Sequence, residues 1–201
     1  GANDNGTGVT AVLAMAKAFK EKGLSPKRTI RFVLFDKEEP PFSRDGSEAH
    51  FEKRLVEAPT EKQVLFINID MIGYSPHDTN HAGYSGEMFP AAQTLLKKAV
   101  EKAGLRNFEL TSFDPFISDN LPATFRGVPS VAICEDARDH KGRFINDPDN
   151  HESSDKVKNI NFPYAMRLLR WASATALMAS NTRDSYATAE SAHIHEVAKN
   201  A

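Results

Sequence analysis

The chain has a single cysteine, Cys134, among its 201 residues. That excludes an intrachain disulfide framework and any zinc site built from several thiolates. No apolar run approaches the roughly 20 residues that span a bilayer. Neither charge sign is in excess: 25 basic against 27 acidic side chains leave a formal net charge of -2. So even a balance supplies no field to draw the chain to nucleic acid or to a membrane surface. Internal repeats and low-complexity blocks are missing. So is a phosphate-binding loop, since Gly6-Thr7-Gly8 lacks the lysine and the spacing of a Walker motif. What remains is an ordinary globular composition, 40% hydrophobic and 26% charged. Disordered, collagen-like and coiled-coil chains are excluded, and the length is that of one domain with a sizeable core.

Helix and strand patterns alternate along the chain. Thr7 to Lys22 carries Val9, Val12, Leu13, Ala16 and Phe19 at helical spacing, and Gly23 closes it. Thr29 to Phe35 (TIRFVLF) is rich in β-branched and aromatic residues and reads as a strand. Asp45 to Leu55 reads as a short helix. Val64 to Ile69 (VLFINI) is nearly continuous apolar, as a strand buried on both faces should be. Pro90 to Ala103 reads as a helix closed by Gly104, and Pro129 to Cys134 (PSVAIC) as another buried strand. Phe162 to Ala179 is a long amphipathic helix carrying Trp171, and the tail after Asn181 is polar and weakly patterned. Strands separated by helices predict an α/β fold, a mostly parallel sheet with helices on both faces. The expected organisation is a domain over 1–180 and a polar tail over 181–201.

In such sheets, ligands bind beyond the carboxyl ends of the strands. TIRFVLF is followed by Asp36-Lys37-Glu38-Glu39, VLFINI by Asp70, and PSVAIC by a polar loop that holds His151. Asp4 stands just before the first helix. Acidic groups and a histidine thus reach one sheet edge from four loops. Converging carboxylates repel, and a cation is the simplest remedy. Mixed carboxylate and imidazole donors suit zinc, with cobalt or manganese as alternatives. Asp4, Glu39, Asp70 and His151 supply four ligands. Glu38, pointing away from its neighbour Glu39, is placed to act as a general base. Each residue alone has a bland reading: a helix cap for Asp4, a solvated pair for Glu38-Glu39, a turn cap for Asp70, a loop histidine for His151. Their joint placement carries the inference. His77 and His81 read as solvent-facing loop residues, His50 as helical and His140 as part of a charged loop. His193 and His195 form a tail pair that reads more readily as solvent-exposed than as ligating. Cys134 reads as core.

The segments GANDNGTGVTAVLAMAKAF, RTIRFVLFDKEEPPF, GSEAHF, FINIDMIGY, SDNLPATFRGVPSVAI and NDPDNHESSDKVKNIN together resemble metallopeptidase family twenty-eight, the di-zinc aminopeptidases. That family includes leucyl aminopeptidases and glutamate carboxypeptidase II, with glutaminyl cyclase as a relative. The resemblance implies a zinc-exopeptidase (phosphorylase/hydrolase-like) fold and removal of N-terminal residues from peptides, with two zinc ions as cofactor. Carried over residue by residue, Asp4 matches the bridging carboxylate and Glu38 the general base acting on a metal-activated water. Glu39, Asp70 and His151 match further metal ligands. Asp119, in Ser118-Asp119-Asn120, matches an aspartate of a substrate-side loop and is the substrate-binding candidate. Phe113, Phe116 and Phe125 read as core residues or as walls of an apolar pocket. The resemblance leans towards a secreted or periplasmic setting.

The match departs from the family in defined ways. The family's fifth ligand, a histidine in a His-x-Asp segment on a strand upstream of Gly1, has no counterpart here. Residue 1 is glycine, and Gly1 to Gly6 already reads as a functional turn. The first strands of the sheet are therefore expected to be lacking. The exposed strand edge is expected to pair with a missing N-terminal segment or a second copy of the chain. Asn120 stands where relatives commonly have histidine, and the loop after Glu39 is proline-rich. Two further readings stay open: a single zinc on Asp4, Glu39 and His151, as in the glutaminyl-cyclase acyltransferases, or a catalytically impaired remnant of the peptidase fold.

Overall fold

The structure, a computed structural model, describes residues 1–58, 60–86, 88–113 and 118–200. The elements are α1 (Gly8–Glu21), α2 (Asp45–Glu57), β1 (Phe66–Ile69), β2 (His81–Ser85), α3 (Pro90–Lys102), β3 (Glu109–Ser112), α4 (Asn120–Phe125), β4 (Ser130–Glu135), α5 (Phe162–Asn181) and α6 (Ala189–Asn200). A short 3-10 turn, Val157–Asn159, precedes α5.

The apolar run Val131 to Cys134 lies inside the sheet, where every one of these side chains is buried. Among the described residues the strand order is β1-β4-β2-β3. β1 and β4 run parallel, with Ile67 opposite Val131 and Ile69 opposite Ile133. β2 is parallel to β3 and antiparallel to β4, so the sheet is mixed. Helices cover both faces. On one side α1, α3 and α5 bury Met15, Phe89, Leu96, Leu168 and Trp171 in the larger core. On the other, α2 and α4 enclose a smaller cluster of Phe51, Ala123 and Val128. Trp171 is fully buried and its indole N–H donates to the Leu96 carbonyl at 2.9 Å. Trp171→Ala is expected to lower folding stability by about 3–5 kcal/mol, measured as a fall in the denaturant midpoint.

The strand expected over Thr29 to Phe35 does not form. The segment runs without regular structure and is half-buried to exposed, with Leu34 47% exposed. A strand exists through its ladder, and among the described residues no backbone ladder reaches this one. Across an open slot lies β1, the outer strand of the sheet. It is shorter than the expected 64–69 and only half-buried at Phe66 and Ile67 for the same reason. The slot holds a cavity of about 520 Å³ between residues 28–33 and 63–67, floored by Val12 and Met15 of α1. A second cavity of about 180 Å³ shares Val12, Val33 and Phe66 with the first and ends at Asp4, Glu38 and Asp70. The slot therefore leads along the unpaired segment to the acidic residues.

Two strands, β2 and β3, form where no strand was expected, and β2 takes His81 out of the expected loop. The tail contains α6, and Tyr186 before it is buried against the larger core. Phe125 is 65% exposed, so it is not a core residue. Phe113 packs on Phe144 with ring centroids 5.4 Å apart, and Phe116 lies outside the described residues. Cys134 is buried, and burial pushes its thiol well up, as a core cysteine requires.

Candidate metal centre and active site

The site begins with the turn before α1. Asn5 ties that turn to the end of β1: its side-chain N–H donates to the Ile69 carbonyl at 3.0 Å, and its oxygen accepts the Gly8 N–H at 2.9 Å. α1 consequently starts hard against the strand. A Cβ on Gly8 would lie 2.3 Å from both the Asn5 oxygen and the Ile69 carbonyl, so only glycine permits the approach. This brings Asp4 beside Asp70, the residue that follows β1.

Three of the expected ligands converge. His151 Nε2 stands 3.2 Å from Asp4 Oδ2 and 3.1 Å from Glu39 Oε2. One donor atom from each lies within 4.8 Å of the other two. A tetrahedral zinc with bonds near 2.1 Å places its donors about 3.4 Å apart, so one ion fits this set with little movement. Asp70 is buried beside them. Its Oδ2 accepts the Ser118 hydroxyl at 2.6 Å, and Ser118 is held in turn by Asn68 at 2.9 Å. Its Oδ1 is buried with no hydrogen-bond partner. A buried carboxylate oxygen with no partner, beside three gathered donors, is a group that a cation would satisfy. The donor set fits zinc.

Backbone strain surrounds the same residues. Lys37 before Glu38, Met71 after Asp70, and His151 itself sit in the left-handed region, at φ 56°, 52° and 61°. Such conformations persist only where surrounding bonds over-determine them, and they cluster at functional sites. The Arg44 N–H supplies part of that constraint, donating to the carbonyls of Lys37 and Glu38 at 2.9 and 3.0 Å.

Burial pushes the carboxyls up, and they repel one another. Asp4 is raised to about 7 by burial, by its hydrogen bond with Glu39, and by repulsion from Asp70 and Glu39, with His151 opposing. Glu38 is raised to about 7 by burial and then by Asp70, Glu39 and Asp119, with Arg44 opposing. Burial also raises Asp70. Asp119, at the cap of α4, is buried and raised to about 6, again chiefly by burial. It lines the same cavity as Glu38 and Asp70.

These shifts have a signed consequence. Raised folded-state carboxyls mean that the metal-free fold holds more protons than the unfolded chain between about pH 4 and 7. Their contribution to stability is present below the unfolded values and is lost as pH rises through about 7. Zinc held by these carboxyls would replace those protons. The rise in Tm on adding zinc is therefore expected to be larger at pH 8 than at pH 5.5, and equal increments would count against a metal site here.

Among the described residues, no other histidine joins the cluster. His77 and His140 meet ring to ring at 6.4 Å, and His81 Nδ1 lies 3.7 Å from Glu109. The residues that orient the site were not foreseen: Ser118 and Asn68 behind Asp70, Asn5 behind the turn, and Asn150, whose amide donates to Asp4 Oδ2 at 2.8 Å. An asparagine inside the apolar strand VLFINI was the one visible signal among them.

The model of Peptidase family M28 matches residues 1–176. Aminopeptidase YwaD of Bacillus subtilis is 30% identical over 137 residues, 65% of this chain and 28% of that protein. Leucine aminopeptidase 2 of Arthroderma otae is 30% identical over 180 residues, 80% of this chain and 35% of that protein. A crystal structure of BSAP, a zinc aminopeptidase from Bacillus subtilis, superposes with a TM-score of 0.75 at 24% identity, covering 93% of this chain and 44% of that one. The chain thus spans about a third of the length of the curated relatives it matches, 28% and 35%. With the family model covering nearly all of the chain and the fold shared, the chain belongs to peptidase family M28.

Proposed function

We propose that this chain carries the catalytic metal centre of a zinc aminopeptidase that hydrolyses the N-terminal bond of peptides. The observation that carries the reading is the convergence of Asp4, Glu39 and His151 beside the orphaned oxygen of Asp70. Asp4, Glu39 and His151 would hold one zinc ion, and Asp70 beside them would serve a second. Zinc, when bound, polarises the scissile carbonyl and acidifies a water. Glu38 takes the proton from the attacking water and returns it to the leaving amine. Asp119, in the same cavity, faces the substrate side. The slot beside β1 suits an extended strand, and the family's fifth ligand, a histidine, would come from such a strand.

The gathered triad alone is also the set that a single-zinc cyclase needs. Asp70 separates the two readings, because a one-ion site leaves its buried Oδ1 without a partner. The test is zinc per protein by elemental analysis, with release of aniline from an aminoacyl anilide measured against cyclisation of an N-terminal glutamine peptide. Two zinc ions and anilide hydrolysis are expected. One ion with cyclisation would replace the peptidase reading by the cyclase, and no zinc would remove both.

A further inference from the structure

We propose that Asp155 is a positioning residue for the metal centre, locking the turn that bears Asp4 to the loop that bears His151. The inference rests on reading those two residues as metal ligands. Asp155 ends the loop 147–155, four residues after His151, and its side chain is 2% exposed. One carboxylate oxygen accepts the Asn3 N–H at 2.7 Å and the other the Asp4 N–H at 3.0 Å. Its carbonyl takes the Ala2 N–H at 3.3 Å. A Cβ on Gly1 would lie 2.6 Å from the same carboxylate, so the turn wraps it closely.

A buried carboxylate is costly unless donors meet it, and two N–H groups of consecutive residues meet this one. Burial raises Asp155, yet the N–H groups of Asp4 and Asn3 hold it below its ordinary value. Two other ties cross the same gap. Asn150 donates to the Asp4 carboxylate at 2.8 Å, and Asn3 to Asp147 at 2.7 Å. Both act through side chains of the turn. Asp155 alone among the three grips the backbone of Asp4, so it sets where that residue stands. One side chain thereby fixes the spacing of two ligands that lie about 150 residues apart in sequence, His151 Nε2 being 3.2 Å from Asp4 Oδ2.

The test uses the full chain, freed of zinc and titrated with cobalt, whose visible absorption reports ligand geometry. Asp155→Asn keeps the shape but sets an amide NH₂ against one of the two N–H groups. Cobalt affinity is expected to fall about 10- to 100-fold, with a shifted visible band and a fall in kcat larger than any change in KM. Asp136→Asn is the control. Asp136 is fully buried and bonded to Arg138 and Thr111, away from the ligands, so it reports lost stability alone and should keep the wild-type band. If Asp155→Asn does not fold, Asp155→Glu retains the carboxylate and should bind cobalt with a shifted band. Wild-type affinity and spectrum in whichever Asp155 variant folds would overturn the proposal. A wild-type protein that takes up no cobalt would instead overturn the metal reading beneath it.

Discussion

Replacing Glu38 with glutamine is expected to lower turnover of an aminoacyl anilide by a factor of about 10² to 10⁴, the usual share of a positioned acid–base group. Zinc content should stay unchanged. Glu38 lines the cavity that ends at Asp4 and Asp70, but it is not one of the three gathered donors Asp4, Glu39 and His151. Without metal, burial and the neighbouring Asp70, Glu39 and Asp119 raise its pKa to about 7, the kind of perturbed carboxyl that marks acid–base sites. Glutamine keeps the size and the hydrogen-bonding reach and removes only that proton exchange. The loss should therefore fall on kcat, with KM little changed. Full activity in Glu38→Gln would sink the assignment. Loss of zinc along with activity would move Glu38 from base to ligand.

The second large effect has opposite signs in two measurements. Asp4→Asn removes a carboxylate that His151 and Glu39 both approach and that Asn150 orients. Zinc affinity should fall by more than the 10- to 100-fold that loss of an outer partner costs, and hydrolysis should fall with it. Without metal the same change should raise Tm at pH 8. At that pH the ionised Asp4 is repelled by Asp70 and Glu39, and burial already disfavours its charge. A neutral amide of the same shape relieves both costs. That pair of outcomes would mean that the site trades stability of the metal-free fold for metal binding. A metal-free variant that melts below wild type at pH 8 would show that the Asp4 charge supports the fold instead.

Much of this was legible in the chain. The expected helices at 7–22, 45–55, 90–103 and 162–179 are found at Gly8–Glu21, Asp45–Glu57, Pro90–Lys102 and Phe162–Asn181. The buried strand expected at 129–134 is found at Ser130–Glu135. These elements announce themselves because apolar periodicity, caps and runs of β-branched residues are local properties. The acidic residues at the strand ends were legible for a related reason. Where strands run parallel, as β1 and β4 do, the loops that follow them leave at one sheet edge, so Asp70 and the loop of His151 can be gathered on paper.

Tertiary structure alone decided the rest. β2 and β3 are five and four residues long, and β3 is the mostly polar Glu109–Ser112; such segments become strands only by sharing a ladder. Thr29 to Phe35 shows the converse: despite strong β-propensity it stays irregular, since among the described residues no ladder reaches it across the slot from β1. The orientation of the site was equally hidden. Ser118 on Asp70, Asn150 on Asp4, and the Asp155 grip on two backbone N–H groups link residues between 48 and 152 positions apart. No period or spacing encodes such bonds. Sequence determined which chemical groups are available and towards which edge they travel. Folding alone, by closing long loops, determined the ångström-scale spacing that gathers Asp4, Glu39 and His151 beside Asp70 as a candidate metal centre.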